Sequence, residues 1–293
     1  MKNKASFLQI IGLSIALLTG QHSLLANEVV KQYWDSGLAE ISRYELKQAR
    51  YGALNEGEAI LLFVTEPFSR DTQVKDETGN DPNAERILKL NAIKRFETGI
   101  YDYSIMSSVF SSMKKNNAYP TFKSTTSIQD WCGQAFQQWN QRDGAWKSEL
   151  RSYFQSFGDE DKSIPLAAHE DGIWNRLRTD PLGLPTGDFE MIPSTSYLRL
   201  KHKPTNAYQV KGSLSEGRKG TSIYELIYPS LNRTLSIRFE SKAPYEILGW
   251  SESYPDKGDE ILTTEAKRTH STRSYYWEKN SPSDTKLRKL LGL

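Results

Sequence analysis

The stretch Gln134-Ala135-Phe136-Gln137-Gln138-Trp139-Asn140-Gln141-Arg142-Asp143-Gly144-Ala145-Trp146-Lys147-Ser148-Glu149-Leu150-Arg151-Ser152-Tyr153-Phe154-Gln155 decides the fold class. Asp-Gly is a strong hairpin signal, because both central positions of the favoured two-residue turn need positive φ. Beyond it, Trp146, Ser148, Leu150, Ser152 and Phe154 fall on one side, and Lys147, Glu149, Arg151 and Tyr153 on the other. Alternation with a period of two over this length reads as a strand with one wet face.

Working outward, the same reading recurs. Arg43 to Tyr51 and Gly57 to Thr65 form strand-like runs joined by a hairpin-length link, and Arg70 to Glu85 is a polar loop. Ile87 to Phe96 and Gly99 to Phe110 follow. Leu166 to Arg178 places Leu166, His169, Ile173, Trp174 and Leu177 at helical spacing and is stopped by Pro181. Strand patterns resume at Tyr197 to His202, Ala207 to Leu214, Ser222 to Tyr228, Arg233 to Glu240, Tyr245 to Tyr254 and Ile261 to Trp277. Ser281-Pro282-Ser283-Asp284 opens a short capped helix at the C-terminus. The expected fold is therefore mostly β: a large curved antiparallel sheet, or a closed or half-open β-barrel, with one internal helix and a short C-terminal one. A sheet this long must curl or close, since open edges invite aggregation.

The first residues address the compartment. Met1-Lys2-Asn3-Lys4 is basic, Phe7 to Leu18 is apolar, and a more polar stretch ends Ser23-Leu24-Leu25-Ala26. This is the layout of a secretory signal peptide, with Ala26 before the cut. The domain reading is thus a signal over 1–26 and one β-rich exported domain over 27–293, with a possible sub-division near 180–187. No cysteine sits at the cut, so the expectation is a periplasmic protein that is not a lipoprotein. No later stretch is long and apolar enough for a transmembrane span. An outer-membrane barrel is disfavoured, because Lys, Arg and Glu interrupt the apolar positions and leave no lipid belt.

The whole chain of 293 residues carries 38 Lys and Arg against 36 Asp and Glu. Without Lys2 and Lys4 the two counts are equal, so the surplus belongs to the signal and nucleic acid is excluded as a partner. The single cysteine rules out a disulfide framework.

Candidate chemistry is sparse. Cys132, in Asp130-Trp131-Cys132-Gly133-Gln134, resembles the nucleophile of cysteine hydrolases, with His169, His202 or His270 as bases; buried free cysteines are also common core residues. His169-Glu170-Asp171 lacks a second ligand cluster and reads as a solvated helix face, so no metal is expected, and no cofactor motif appears. The aromatic residues are more numerous: 7 Trp, 15 Tyr and 11 Phe. Trp131, Trp139, Trp146 and Tyr153 cluster around the central hairpin, where flat rings can stack on sugar faces, line an apolar pocket, or simply fill the core.

Tyr44-Glu45-Leu46-Lys47-Gln48-Ala49-Arg50-Tyr51-Gly52, Gly57-Glu58-Ala59, Phe63-Val64-Thr65-Glu66-Pro67-Phe68, Trp131-Cys132-Gly133, Leu184-Pro185-Thr186-Gly187 and Arg233-Thr234-Leu235 together resemble an uncharacterised family of exported bacterial β-rich proteins. Its members are sometimes labelled Maf-type septum-formation inhibitors, a label for cytoplasmic α/β enzymes that fits neither the export signal nor the β pattern. The early hairpin is similar to exported β-barrel domains of unknown function shaped like lipoprotein carriers. Neither resemblance supplies a catalytic residue. The expected function is a non-catalytic, exported binding or envelope-associated protein holding a lipid-like, apolar or glycan-like ligand on a concave aromatic face. The alternatives are a hydrolase using Cys132 and a structural partner of an envelope protein.

Overall fold

The computed structural model describes residues 25–114 and 118–293. The signal reading therefore falls outside the described residues, save for residues 25 and 26, which lie in a helix over 25–35 (α1). Among the described residues no helix is long and apolar enough to cross a membrane.

The protein is mostly β, as its alternation predicts. One sheet of 15 strands contains β1 (Ala39–Arg50), β2 (Ala53–Ser69), β3 (Ala84–Thr98), β4 (Tyr101–Ser112), β5 (Thr121–Asp130), β6 (Gly133–Arg142), β7 (Ala145–Ser152) and β8 (Glu160–Pro165). It continues with β9 (Ala168–His169), β10 (Gly187–Ile192), β11 (Tyr208–Glu216), β12 (Thr221–Tyr228), β13 (Arg233–Glu240), β14 (Ile247–Pro255) and β15 (Ile261–Ser274). The order is β8-β7-β6-β5-β4-β3-β2-β1-β15-β14-β13-β12-β11-β10-β9, antiparallel except where β9 and β10 run parallel. Neighbouring strands up to β10 are thus consecutive in the chain, apart from β1 and β15, which join the two halves in mid-sheet.

Local chemistry explains the turns. Asp143 and Gly144 take φ of 53° and 68°, the positive pair that the hairpin reading of Asp-Gly requires. Tyr51-Gly52 and Lys219-Gly220 do the same at φ 58° and 80°, and 56° and 73°. The first link is therefore a two-residue turn, shorter than the Gly52 to Glu56 connection expected from sequence.

The sheet is strongly rolled but not closed. Laid flat, its strands at a spacing of ~4.8 Å would put the edges roughly 65 Å apart. Yet β8 and β9, the two edges, are separated only by Leu166 and Ala167, a few residues of chain that reach at most about 11 Å. The edges must approach there, although no ladder joins them.

Inside the roll lies the segment that follows. The expected helix over Leu166 to Arg178 is divided: β9, a 3-10 turn at Glu170–Gly172, then α2 over Ile173–Thr179. Tyr197 to His202, expected to be a strand, is instead occupied by α3 (Thr195–Leu200), capped by Ser194 Oγ on the Tyr197 N–H. Asn175 of α2 donates to the Leu88 and Val109 carbonyls, which anchors the helix across β3 and β4. Trp34, Tyr44, Phe63, Leu90, Trp139, Leu177, Leu198, Tyr224 and Ile237 belong to the interior core. A smaller cluster of Ala39, Ile41, Leu62 and Val64 packs on the outer face with Tyr276 and Leu291, under a 3-10 tail at Pro282–Leu291.

Candidate functional site

The interior of the roll is more polar than an ordinary core. Glu170, 1% exposed, receives Arg233 Nη1 and Nη2 at 2.6 Å each and the Tyr228 hydroxyl at 2.6 Å. Arg233 Nε donates in turn to Glu252 at 2.7 Å. Asp171 accepts from Ser124 at 2.9 Å and from Thr195 at 3.1 Å. His169 is buried between the rings of Trp139 and Trp146, and its Nδ1 accepts the Asp171 N–H. Burial holds its pKa below the ordinary imidazole value, against the pull of Asp171 and Glu170. His169-Glu170-Asp171 is thus no solvated helix face. The triplet is buried because β5, β12, β13, β14 and α3 bring partners to it from far along the chain.

The rings expected to bear ligand divide into two groups. Trp139 and Trp146 are core residues, 0% and 1% exposed, with their indole N–H groups donating to Thr195 Oγ1 and the Ala167 carbonyl. Segment 167–200 packs over them, and of the two only Trp146 borders any free space, a cavity of about 40 Å³ with Ala167, His169 and Gly172. Trp131 and Tyr153, 68% and 77% exposed, stand on neighbouring connections at one end of the roll. Tyr153 overlies Gly133, where a Cβ would come within 2.8 Å of its ring.

That end collects the β1–β2, β3–β4, β5–β6, β7–β8 and β14–β15 connections. Beneath it lies a cavity of about 110 Å³, roomier than the interior space of about 50 Å³ beside Glu170 and Arg233. Its walls come from separate elements: Arg50 and Tyr51 from the β1 end, Tyr103 from β4, Cys132 from the β5–β6 turn, Phe157 from the β7–β8 loop, and Arg199 and His202 from α3 and its exit. Arg50 pins that exit by donating to the Leu200 carbonyl. The Tyr51 and Tyr103 hydroxyls are 2.7 Å apart, and the Arg50 guanidinium lies 4.2 Å from the Tyr51 ring centroid. The His202 ring stacks on Phe157 at 5.0 Å and 9°. Partial burial, with Arg50, Arg199 and Lys201 nearby, lowers the His202 pKa.

Of the three candidate bases, His202 alone shares a cavity with Cys132. His169 lies in the interior, and His270 is on β15 beside Gly292. Cys132 is exposed rather than core, and its N–H donates to Asp130 Oδ1 at 2.7 Å. Among the described residues no group of three or more His, Cys, Asp or Glu side chains could hold a metal ion. Sequence reasoning passed over Arg50, Tyr51, Tyr103, Phe157 and Arg199. The local signals were Cys132, whose turn forms part of the cavity wall, and His202, named among the candidate bases.

No protein-family model matches the chain, and no match was found among the curated proteins compared with it.

Proposed function

We propose that the protein is an exported, non-catalytic binding protein of the bacterial envelope, with its ligand seat in the cavity between Phe157, His202, Tyr51 and Tyr103. The observation that carries this reading is the pairing of two aromatic walls around about 110 Å³ of space at the end of the sheet. Flat rings suit a sugar face or a small apolar ring, and prearranged walls spare a ligand the cost of ordering them. The seat is at the rim of the roll, where Trp131 and Tyr153 flank the approach, rather than on the covered concave face. The periplasmic assignment rests on the sequence of residues 1–26. Fractionation with N-terminal sequencing tests it: a start at Asn27 in the periplasmic fraction supports it, and an intact Met1 in the cytoplasm overturns it.

The seat itself is tested by titrating isotope-labelled mature protein with methyl glycosides and small aromatic alcohols. Saturable movement of the Tyr51, Phe157 and His202 resonances is expected. If no probe moves them, the seat is elsewhere.

A second reading is favoured by the shared cavity of Cys132 and His202: a cysteine-dependent hydrolase, with His202 taking the thiol proton and the thiolate attacking an acyl carbon. It requires that an activated ester acylate Cys132, that water release the acid, and that Cys132→Ser abolish turnover. An enzyme preparation that never acylates removes it.

A further inference from the structure

The protein buries the guanidinium groups of Arg178 and Arg233, and each faces carboxylates. Arg178 pairs with Glu40, and Arg233 with Glu170 and Glu252. The two arginines of the rim cavity break this pattern. Arg199 is 6% exposed, and among the described residues no carboxylate lies within 4 Å of its guanidinium; Glu160 attracts it from farther away. Its Nη2 donates to the Lys203 carbonyl at 2.8 Å and to Thr205 Oγ1 at 3.1 Å, while Nε and Nη1 have no hydrogen-bond partner. Arg50 donates to the Leu200 carbonyl and to the Tyr51 and Tyr103 hydroxyls, and its Nε is likewise unpartnered. The one carboxylate lining the cavity, Asp130, already accepts the N–H groups of Cys132 and Gly133 on a single oxygen, at 2.7 and 3.2 Å.

Burying a cation without a counter-charge is expensive, and guanidinium does not escape by losing its proton near neutral pH. Ring faces supply part of the compensation: the Arg199 Cζ lies 4.6 Å from the Phe157 centroid. They leave Nε and Nη1 of Arg199 and Nε of Arg50 without an acceptor. Burial pushes the Arg199 pKa down to about 10, outweighing the attraction of Glu160, which stands too far off to form an ion pair. We infer that the cavity is an oxyanion site, and that its ligand carries a carboxylate, sulfate or phosphate held between Arg199 and Arg50, with a ring against Tyr51. This rests on the reading of the cavity as the ligand seat. The missing acid of the two arginines is then brought by the ligand, and planar guanidinium groups are well suited to take it. About 110 Å³ accommodates such a group with a few further atoms.

The test is calorimetry with the mature protein on matched pairs: glucuronate against glucose, and benzoate against benzyl alcohol, with inorganic phosphate and sulfate as bare anions. Each acid is expected to bind at least ~10-fold more tightly than its neutral partner, and to weaken as salt rises. Arg199→Met and Arg50→Met should each remove this preference. If the neutral partners move the cavity resonances as strongly as the acids do, the seat stands and the anion assignment falls. If no compound moves them, both fall. Should Arg199→Met fail to fold, the Arg50→Met protein and the salt dependence of the unaltered one decide. Acid binding that is unchanged by Arg50→Met and insensitive to salt overturns the assignment.

Discussion

Arg233 grips Glu170 through both terminal nitrogens at 2.6 Å, although the two residues lie on different elements and are both nearly fully buried. Tyr228 and Glu252 complete the arrangement, so one guanidinium is set between two buried carboxylates and each is hydrogen-bonded. Removing one partner leaves the others buried and uncompensated. Arg233→Met is therefore expected to destabilise the protein by about 3–5 kcal/mol. Arg233→Met with Glu170→Leu should recover part of that loss. Urea unfolding checks both, and a single-variant loss under ~1 kcal/mol would mean the network is solvated.

The tryptophans in and beside the central hairpin are of two kinds. Trp139 is fully buried and donates to Thr195, whereas Trp131 is 68% exposed. Trp139→Ala is expected to cost about 3–5 kcal/mol and Trp131→Ala to stay within about 0.5 kcal/mol of zero. Unfolding midpoints measured side by side decide the matter. Equal effects would contradict the placement of Trp139 behind α3.

The sequence was legible where one face of a strand is wet. Asp143-Gly144 and the alternation after it give β6, β7 and the β class directly. It was not legible where both faces are polar. β5, Thr-Phe-Lys-Ser-Thr-Thr-Ser-Ile-Gln-Asp, turns Ser124 and Thr126 inward, so its buried side looks solvated. α3 failed for a related reason: it is buried nearly all round, Arg199 included, and a helix without a wet face has no amphipathic period. The Glu170 network and the rim cavity were hidden by distance along the chain. Position 170 meets positions 228 and 233, and the cavity draws on segments from Arg50 to His202.

His169 links the polar interior to acid stability. Burial between Trp139 and Trp146 lowers its pKa, with the carboxylates of Asp171 and Glu170 opposing the shift. For a base whose folded pKa is depressed, the unfolded chain binds more protons on the acid side. The stability is then fully present above the unfolded value of ~6.5 and is lost as pH falls through the folded one. His169→Gln is expected to make the acid limb of the stability profile shallower. His202 shifts in the same direction but is exposed, so its share is small. Denaturation midpoints from neutral to mildly acidic pH provide the check, and identical slopes in both proteins would rule out His169 as the source.

Tyr51 is set apart from the core tyrosines by the groups around its hydroxyl. Burial alone would raise its pKa, but hydrogen bonds with Tyr101 and Tyr103 and the Arg50 guanidinium carry it below the ordinary phenol value. Tyr44, Tyr197, Tyr224 and Tyr254, by contrast, are raised by burial. Tyr51→Phe should therefore delete an early step from the phenolate absorbance titration and leave the late ones in place. Arg50→Met should move that step to higher pH, because the stabilising cation over the ring is gone. An oxyanion seated against Arg50 would shift the same step upward by screening that cation. If Tyr51→Phe leaves the early part of the curve intact, Tyr51 does not ionise ahead of the core tyrosines, and the arrangement of Arg50, Tyr51 and Tyr103 differs in solution.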